Sequence, residues 1–361
     1  MYTTKNSSPK AARDAAKRGS SRKTGHWSVH RAWKARFEIV TGHLFAASLA
    51  LACVTAQAQQ YPSRPIRVIV PFTPGTGMDI IARLYGEQLS QRLGKPVIVE
   101  NKPGAGFLVA TQSVLAASAD GHTLLVAAPS NLAYNQVLYK QLSYVPEKDL
   151  VPISHYLTSP FILVVNPALP VHTVPEFLNF AKERATPLSY SSPAGGGVPA
   201  FAVEAMAQRF GLKFTHVPYR SSPQSIVDIV SGHIDFAFAE AGASQALIGD
   251  GKLRALAVSS HQRLPAHSAI LPFAEAANAP DFEVVAWHML VARAGTPKPI
   301  LERLNAAMNQ IMGAPEMQRR ISSMGLIPLD PAPLADTDRY IKSEIVKWRV
   351  LLTAIGLAGT Q

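Results

Sequence analysis

The sequence predicts an α/β fold, in which sheets are covered by helices on both faces. Two observations support this class. Apolar, β-branched runs of about five residues recur along the chain, and between them apolar residues return at helical spacing. Such alternation is typical of mostly parallel sheets whose strands are joined through helices. From residue 59 onward about 300 residues remain, enough for one large domain or two smaller ones.

The predicted strands are the apolar runs themselves, and helices are expected between them. The strands are placed at residues 66–70, 97–100, 123–127, 161–165, 188–191, 214–218, 234–239, 253–259 and 284–292.

Two of the predicted helices have clear terminal signals. The first follows the strand at 66–70 and ends at Gly94, with Pro96 just beyond. The second has Thr296 as the predicted N-cap and Pro297 as the first helical residue. Their apolar faces are Ile80, Ile81, Leu84 and Leu89 in the first, and Ile300, Leu304, Met308 and Ile311 in the second.

The basic charge of the chain is concentrated at its N-terminus. The formal net charge is +11 at pH 7, and residues 1–58 hold ten Lys and Arg against Asp14 and Glu38. A net charge of only +3 remains for the rest of the chain. Because that remainder is nearly balanced, we predict no nucleic-acid partner.

Residues 1–58 have the features of a secretory signal region. The basic stretch ends at Arg36, an apolar run follows over 44–56, and Ala56-Gln57-Ala58 fits a cleavage site before Gln59. The apolar run is shorter than the roughly 20 residues that cross a bilayer as a helix. We therefore expect residues 1–58 to be removed and the mature protein to reach the periplasm.

Cys53 is the only cysteine, and it lies within the apolar run. Removal of the signal leaves no thiol, which excludes disulfides, thiolate metal sites and cysteine nucleophiles. The alternative is a lipoprotein acylated at Cys53, although Ala50-Leu51-Ala52 matches the required motif poorly. The start of translation is also open, since it could lie near Trp33.

The first candidate ligand site is the turn after the strand at 66–70, where residues 68–79 read V-I-V-P-F-T-P-G-T-G-M-D. Backbone N–H groups at a helix N-terminus, with the positive end of the helix dipole behind them, suit a carboxylate or phosphate. Two threonine hydroxyls add donors, and the aspartate can cap its own helix. The candidate ligand-binding residues are Phe72, Thr73, Pro74, Gly75, Thr76, Gly77 and Asp79.

A second turn, residues 191–199, repeats this pattern between a strand and a helix. It reads S-S-P-A-G-G-G-V-P, and a flexible surface loop is the alternative interpretation. Two such turns facing each other across a cleft would suit a ligand with carboxylates at both ends, or one carboxylate plus a polar group. The candidate residues here are Ser191, Ser192, Gly195, Gly196 and Gly197.

Further candidates lie where other predicted strands end, since open α/β sheets bind ligands at the carboxyl ends of their strands. Ser130 and Asn131 follow one strand, and Glu240 follows another. Glu240 is ambiguous, because a carboxylate repels an acid but pairs with an amine. Tyr219 offers an apolar face and a phenol, and Arg220 could clamp a carboxylate or could bridge the lobes.

No pattern in the sequence points to catalysis, a metal or a cofactor. The histidines are scattered, and no H-x-x-x-H pair is backed by a carboxylate. The segment Gly104-Ala105-Gly106 lacks the third glycine and the spacing of a dinucleotide fingerprint. For residues 101–106 a tight structural turn and a direct ligand role are both open. We predict a binding protein with no cofactor and no metal.

Three segments carry a resemblance to a known family. Residues 71–79 resemble P-F-x-P-G-G-x-x-D, residues 101–106 resemble N-x-x-G-A-G-G, and residues 216–221 resemble H-V-P-Y-[KR]-G. These are motifs of the Bug (TctC-type) extracytoplasmic solute receptors, the binding subunits of tripartite tricarboxylate transporters. Thr76, Phe107, Leu108 and Ser221 depart from the usual residues, so the ligand cannot be copied from relatives.

The resemblance covers nearly all of residues 60–361 and implies a two-lobed periplasmic-binding-protein fold of type II, with the ligand cleft between lobes. It places lobe one at 59–159 plus 284–361 and lobe two at 160–283. It further implies a monomer that binds a small organic carboxylate and delivers it to membrane permease subunits. The alternatives are a ligand sensor feeding a signalling kinase, or a secreted enzyme on the same scaffold.

Overall fold

The computed structural model describes residues 61–193, 197–219 and 222–361. The predicted signal region 1–58, with Cys53, lies outside the described residues. Residues 61–361 form one compact unit. A search of the described residues found no helix both long and apolar enough to span a membrane.

The unit contains two sheets, each flanked by helices. The strands are β1 (Ile66–Val70), β2 (Val97–Asn101), β3 (Thr123–Ala127), β4 (Leu150–Ser159), β5 (Phe161–Val165), β6 (Leu188–Pro193), β7 (Phe214–Tyr219), β8 (Phe236–Glu240), β9 (Arg254–Val258), β10 (Ala286–Arg293) and β11 (Ile327–Pro328). Sheet A has the strand order β11-β4-β10-β3-β1-β2, and sheet B has the order β7-β6-β8-β5-β9.

Helices fill the intervals as the sequence predicted, and several short ones accompany them. The α-helices are α1 (Gly77–Leu93), α2 (Leu108–Leu115), α3 (Asn135–Leu138), α4 (Pro146–Asp149), α5 (Val174–Glu183), α6 (Val198–Phe210), α7 (Ser222–Val230), α8 (Ala241–Gly249), α9 (Phe273–Ala276), α10 (Lys298–Met312), α11 (Pro315–Ser323) and α12 (Leu334–Ala354). Two 3₁₀ turns (Ala105–Phe107 and Pro265–His267) and a π-helical turn (Ser130–Tyr134) complete the set.

The α/β class is confirmed, but both sheets are mixed rather than mostly parallel. In sheet A, β1 is parallel to β2 and β3, while β10 is antiparallel to β3 and β4. In sheet B, β6 is parallel to β7 and β8, while β5 is antiparallel to β8 and β9. Strands β10 and β11 run against the other strands of sheet A, and β5 runs against the other strands of sheet B. Strands β5 and β10 each follow a point where the chain passes from one sheet to the other.

Two details of the predicted helices differ in the structure. Ile80 is 48% exposed, so the buried face of α1 is formed by Ile81, Leu84 and Leu89 without it. The helix predicted to start at Pro297 instead begins at Lys298, and the Thr296 hydroxyl donates to the carbonyl of Arg293 rather than capping the helix.

The two sheets meet at the carboxyl ends of their parallel strands. Ser159, the last residue of β4, pairs with Ala286 at the start of β10, and β10 runs antiparallel to β3. The ends of β1 and β3 therefore lie at the edge of sheet A where β4 ends. After Pro160 the chain enters β5, whose first residue, Phe161, pairs with Glu240 at the end of β8. The corresponding edge of sheet B thus adjoins the same crossing.

A continuous hydrophobic core joins the two sheets on the side of α6 and α12. The rings of Tyr134, Phe201 and Trp348 pack against one another, with centroids 5.2 to 5.9 Å apart. Trp348 and Trp287 both donate their indole N–H to the buried carboxylate of Glu344, at 2.9 and 2.7 Å. This packing holds residues from both predicted lobes together.

Candidate functional site

The turn between β1 and α1 is exposed, as a ligand site at a helix N-terminus requires. Residues 73–77 are exposed, whereas Phe72 is half-buried beneath them. The Phe72 ring lies 4.8 Å from that of Phe107 and stacks on His288 at 5.3 Å between centroids. Phe72 therefore anchors the base of the turn and is less suited to direct ligand contact.

Several of the predicted donors in this turn are already used internally. The Gly75 amide donates to Asp79 Oδ2 at 2.9 Å, and the Thr76 amide donates to the carbonyl of Thr73. The Thr76 hydroxyl donates to the same carbonyl and accepts from the Asp79 amide, so Thr76, not Asp79, is the N-cap of α1. Gly75 has φ +80°, a conformation that favours glycine.

Asp79 organises the turn from below. Its carboxylate is buried and accepts hydrogen bonds from Gly75, Asn101 (2.7 Å) and Arg83 (3.1 Å). Burial alone would raise the pKa of Asp79, but these hydrogen bonds outweigh it and hold the pKa below its ordinary value. We conclude that Asp79 shapes the loop rather than contacting an anionic ligand.

The donors left for a ligand are at the tip of α1. The amides of Gly77 and Met78 occupy the first helical positions, and among the described residues no acceptor bonds to them. These N–H groups carry the partial positive charge of the helix N-terminus. The Thr73 hydroxyl is exposed nearby. Fewer donors of this turn are therefore available to bind an anion than the sequence motif predicted.

The segment 101–106, for which two interpretations were open, serves the structure. Asn101 donates to both the Phe72 carbonyl (3.0 Å) and Asp79 Oδ1, which ties the end of β2 to the first turn. Its neighbour Phe107 packs on Phe72. These contacts agree with the structural interpretation of the segment, and a direct ligand role for it stays a prediction.

A pocket of about 40 Å³ lies at the carboxyl ends of β6, β7 and β8 in sheet B, room for a small polar group. It brings together four of the residues predicted from separate parts of the chain: Ser191, Ser192, Tyr219 and Glu240. Ser225 and several apolar side chains complete its wall, and none of its lining residues belongs to the first turn.

The two serines of this pocket differ in their bonding. Ser191 is 2% exposed, and its hydroxyl oxygen is buried without a hydrogen-bond partner among the described residues. Ser192 is also buried, and its hydroxyl lies 2.7 Å from Nε2 of His216. The His216 ring stacks on Tyr190 at 4.9 Å, and burial holds its pKa below the ordinary value. Ser191 is thus the hydroxyl that a ligand could engage.

Tyr219 contributes its ring more than its phenol. The hydroxyl donates to Asp228 Oδ2 on α7 at 2.5 Å, and this hydrogen bond raises the pKa of Tyr219 to about 12. The expected free phenol donor is therefore committed to the protein. The half-buried ring still lines the pocket.

Glu240 ends β8 at the mouth of the pocket. Its side chain is exposed to solvent, yet the surrounding protein raises the pKa of the carboxyl above its ordinary value. Within the described residues its carboxylate makes no hydrogen bond or ion pair, although the Glu240 carbonyl accepts from the Ser244 hydroxyl at 3.0 Å. Most other acidic residues near sheet B have partners, as Asp228 and Asp235 do.

The remaining predicted residues are placed less favourably. Gly195, Gly196 and Arg220 lie outside the described residues. Gly197 precedes α6 with φ +120° and no side-chain cap. These positions stay predictions as ligand contacts.

The geometry does not support Asn131 as a cleft residue. It is fully buried; its Oδ1 accepts from the Ala128 amide at 2.8 Å, and its Nδ2 donates to Thr111. Ser130 is buried next to Tyr134, without a hydrogen bond of ordinary geometry. Polar residues after a strand looked like site residues in the sequence, but here they start a π-helical turn that packs into the core.

Sequence reasoning missed the apolar wall of the pocket. Pro199, Ile226 and Phe238 line it, the first two from helices and the third from β8. Their sequence signal is the same as that of ordinary core residues, so periodicity alone could not separate them. Only the motif that contains Pro199 gave a hint.

The chain is similar to known receptors over most of its length. A family model described as "Tripartite tricarboxylate transporter family receptor" matches residues 81–357. The protein BugT of Bordetella pertussis is 31% identical over 314 residues, which cover 87% of this chain and 95% of BugT.

Solved structures agree with this similarity. The R. palustris protein Rpa4515, solved with adipate, aligns with a TM-score of 0.74 and 29% identity over 82% of this chain and 99% of its own. MatC of Rhodopseudomonas palustris, solved with bound malate, aligns with a TM-score of 0.70 and 26% identity over 81% of this chain and 100% of its own.

Proposed function

Because the chain belongs to the receptor family of the tripartite tricarboxylate transporters, we propose that it captures a small carboxylated metabolite in the periplasm and delivers it to a membrane permease of that transporter type. The fold is the two-lobed α/β fold of solute-binding proteins. We further propose lobe boundaries near Pro160 and residues 281–285, and a monomeric receptor.

The observation that carries this proposal is the meeting of two strand edges at one crossing. The turn after β1 emerges at one edge, and the pocket at the ends of β6, β7 and β8 lies at the other. The pocket adjoins the link between Ser159 and Phe161 through Glu240, while the turn after β1 lies at the same end of sheet A as Ser159, with β10 and β3 between them. A ligand placed between these edges can reach both, which suits a receptor whose lobes close by a hinge motion.

The ligand carboxylate is assigned to the first turn. The amides of Gly77 and Met78 can each donate a hydrogen bond to one carboxylate, with the dipole of α1 adding attraction. No basic side chain is needed for this. The second end of the ligand then enters the sheet B pocket, where the Ser191 hydroxyl has no hydrogen-bond partner within the part of the chain that the structure describes.

The solved relatives support a carboxylate as the ligand class. One was crystallised with adipate and another with malate, both dicarboxylates of short chain length. Because the identities are below one third and the first turn differs at Thr76, the particular acid does not transfer to this chain.

The experiment that tests the proposal is a titration calorimetry screen on protein beginning at Gln59. The panel should hold short dicarboxylates, hydroxy acids, amino acids and aromatic carboxylates. We expect stoichiometric, saturable binding of at least one carboxylate and no turnover of it. Turnover of a panel member, or no binding of any carboxylate, would contradict a receptor role.

A further inference from the structure

The sheet B pocket contains an acidic group that a receptor for plain dicarboxylates does not need. Glu240 lines the pocket, and its carboxylate has no partner among the described residues. An unpaired carboxylate at a binding surface attracts cations and N–H donors and repels anions. The pocket therefore offers a negatively charged acceptor, whereas the first turn offers N–H donors.

The other polar groups of the pocket favour the same kind of ligand group. Ser191 has a buried hydroxyl without a partner in residues 61–193, 197–219 and 222–361, and it can accept a hydrogen bond as well as donate one. The Tyr219 hydroxyl donates its hydrogen bond to Asp228, which leaves the phenol oxygen free to act as an acceptor. The Ser192 hydroxyl is engaged with His216. Among Glu240, Ser191 and Tyr219, acceptor atoms thus outnumber free donors.

We infer that the second end of the ligand is a nitrogen donor, an ammonium or an amide N–H, and that Glu240 is the residue that selects it. This inference rests on the proposed function, in which the first turn binds the ligand carboxylate. The ligand class is then an amino- or amide-bearing carboxylic acid. The apolar wall of Ile226 and Phe238 covers the methylene groups next to that nitrogen.

A plain dicarboxylate fits this arrangement poorly. Its second carboxylate would lie beside Glu240, and two carboxylates in a partly desolvated pocket repel each other unless one takes up a proton. An ammonium in the same place gains a charge-assisted hydrogen bond. The difference in affinity between the two ligand types is therefore the quantity to measure.

Calorimetric titration of matched ligands tests the inference directly. Succinate, glutarate and adipate are each compared with the ω-amino acid and the ω-amide of the same chain length, together with aspartate, glutamate and glutamine. Wild-type protein should bind at least one nitrogen-bearing ligand tenfold or more tightly than its dicarboxylate partner. In Glu240→Gln that preference should fall to threefold or less.

Glu183→Gln serves as the matched control, because Glu183 is an exposed carboxylate on α5 outside the pocket. It should keep the wild-type preference. Tighter binding of dicarboxylates to the wild type, or an unchanged preference in Glu240→Gln with an unchanged thermal midpoint, would overturn the inference and leave the receptor role intact. Absence of binding by every panel member would overturn both.

Discussion

At the scale of single residues, the first turn depends on a buried carboxylate that the ligand never touches. Asp79 joins the Gly75 amide, Asn101 and Arg83 into one network, which fixes the direction of the α1 N-terminus. Because these hydrogen bonds already order the turn, we expect ligand binding to cost little conformational entropy there. The ligand is left with the amides of Gly77 and Met78.

Replacement of Asp79 by Asn tests this supporting role. The amide group cannot accept from three donors at once, so one partly buried donor loses its partner and the others lose a charged acceptor, at a cost of about 1–3 kcal/mol. We expect the free energy of unfolding in urea to fall by that amount and ligand affinity to fall as well. Asp250→Asn, at an exposed position paired with Lys252, should change stability by less than about 0.5 kcal/mol.

The same residue predicts a pH dependence. The folded-state pKa of Asp79 lies below its unfolded value, so its contribution to stability is present above the unfolded pKa near 3.8 and is lost as the pH falls through the folded pKa. Urea unfolding between pH 5 and 3 should show less acid sensitivity in Asp79→Asn than in the wild type. Equal acid sensitivity would show that Asp79 is not linked to folding.

Substitution of Gly75 tests whether ligand binding depends on the first turn or falls with backbone strain anywhere in the protein. Valine at φ +80° costs about 1–2 kcal/mol, and it displaces the turn. We expect Gly75→Val to abolish binding while unfolding stays cooperative. Gly211→Val is the matched control, since Gly211 has φ +66°, equally open surroundings and a place at the end of α6. If both variants lose binding equally, the first turn has no special role.

At the scale of elements, the sequence predicted most strands because buried strands are rich in β-branched residues and short. It missed β4, in which Pro152, Ser154 and His155 interrupt the apolar run, although β4 pairs with β10 over its whole length. Strand direction cannot be read from such runs, so the antiparallel neighbours were not foreseen.

The turns after β1 and β6 were located correctly because glycine and proline mark them. The internal hydrogen bonds that occupy donors in the turn after β1 leave no signal in the sequence.

Strands β4 and β10 also carry one half-buried histidine, His155, and one buried histidine, His288. Burial lowers the pKa of both His288 and His155 to about 3. The neighbouring His288 contributes to the lower pKa of His155. Both are neutral in the folded protein at neutral pH. The unfolded chain binds protons below about pH 6.5, so stability is lost between pH 6.5 and pH 3.

His288→Phe should remove part of that loss. Nδ1 of His288 has no partner among the described residues, and a phenyl ring keeps the stacking on Phe72, so stability at pH 7.5 should change little. Below pH 6.5 the variant should be more stable than the wild type, by at most about 1.4 kcal/mol per pH unit. Parallel pH profiles from chemical unfolding would contradict a buried neutral histidine.

At the scale of the whole molecule, two sheets share one core and present the carboxyl ends of their parallel strands to one crossing. The amide-rich turn belongs to sheet A and the acceptor-rich pocket to sheet B. In the proposed function this division gives each end of a ligand its own half of the protein. Closure of the two halves then couples recognition of both ends.

The measurement that tests this account most directly is a crystal structure with the tightest ligand from the calorimetric panel. We predict that its carboxylate accepts hydrogen bonds from the amides of Gly77 and Met78, while its other end lies between Ser191 and Glu240. A ligand held wholly by one sheet, with the other turn more than a hydrogen-bond length away, would contradict it.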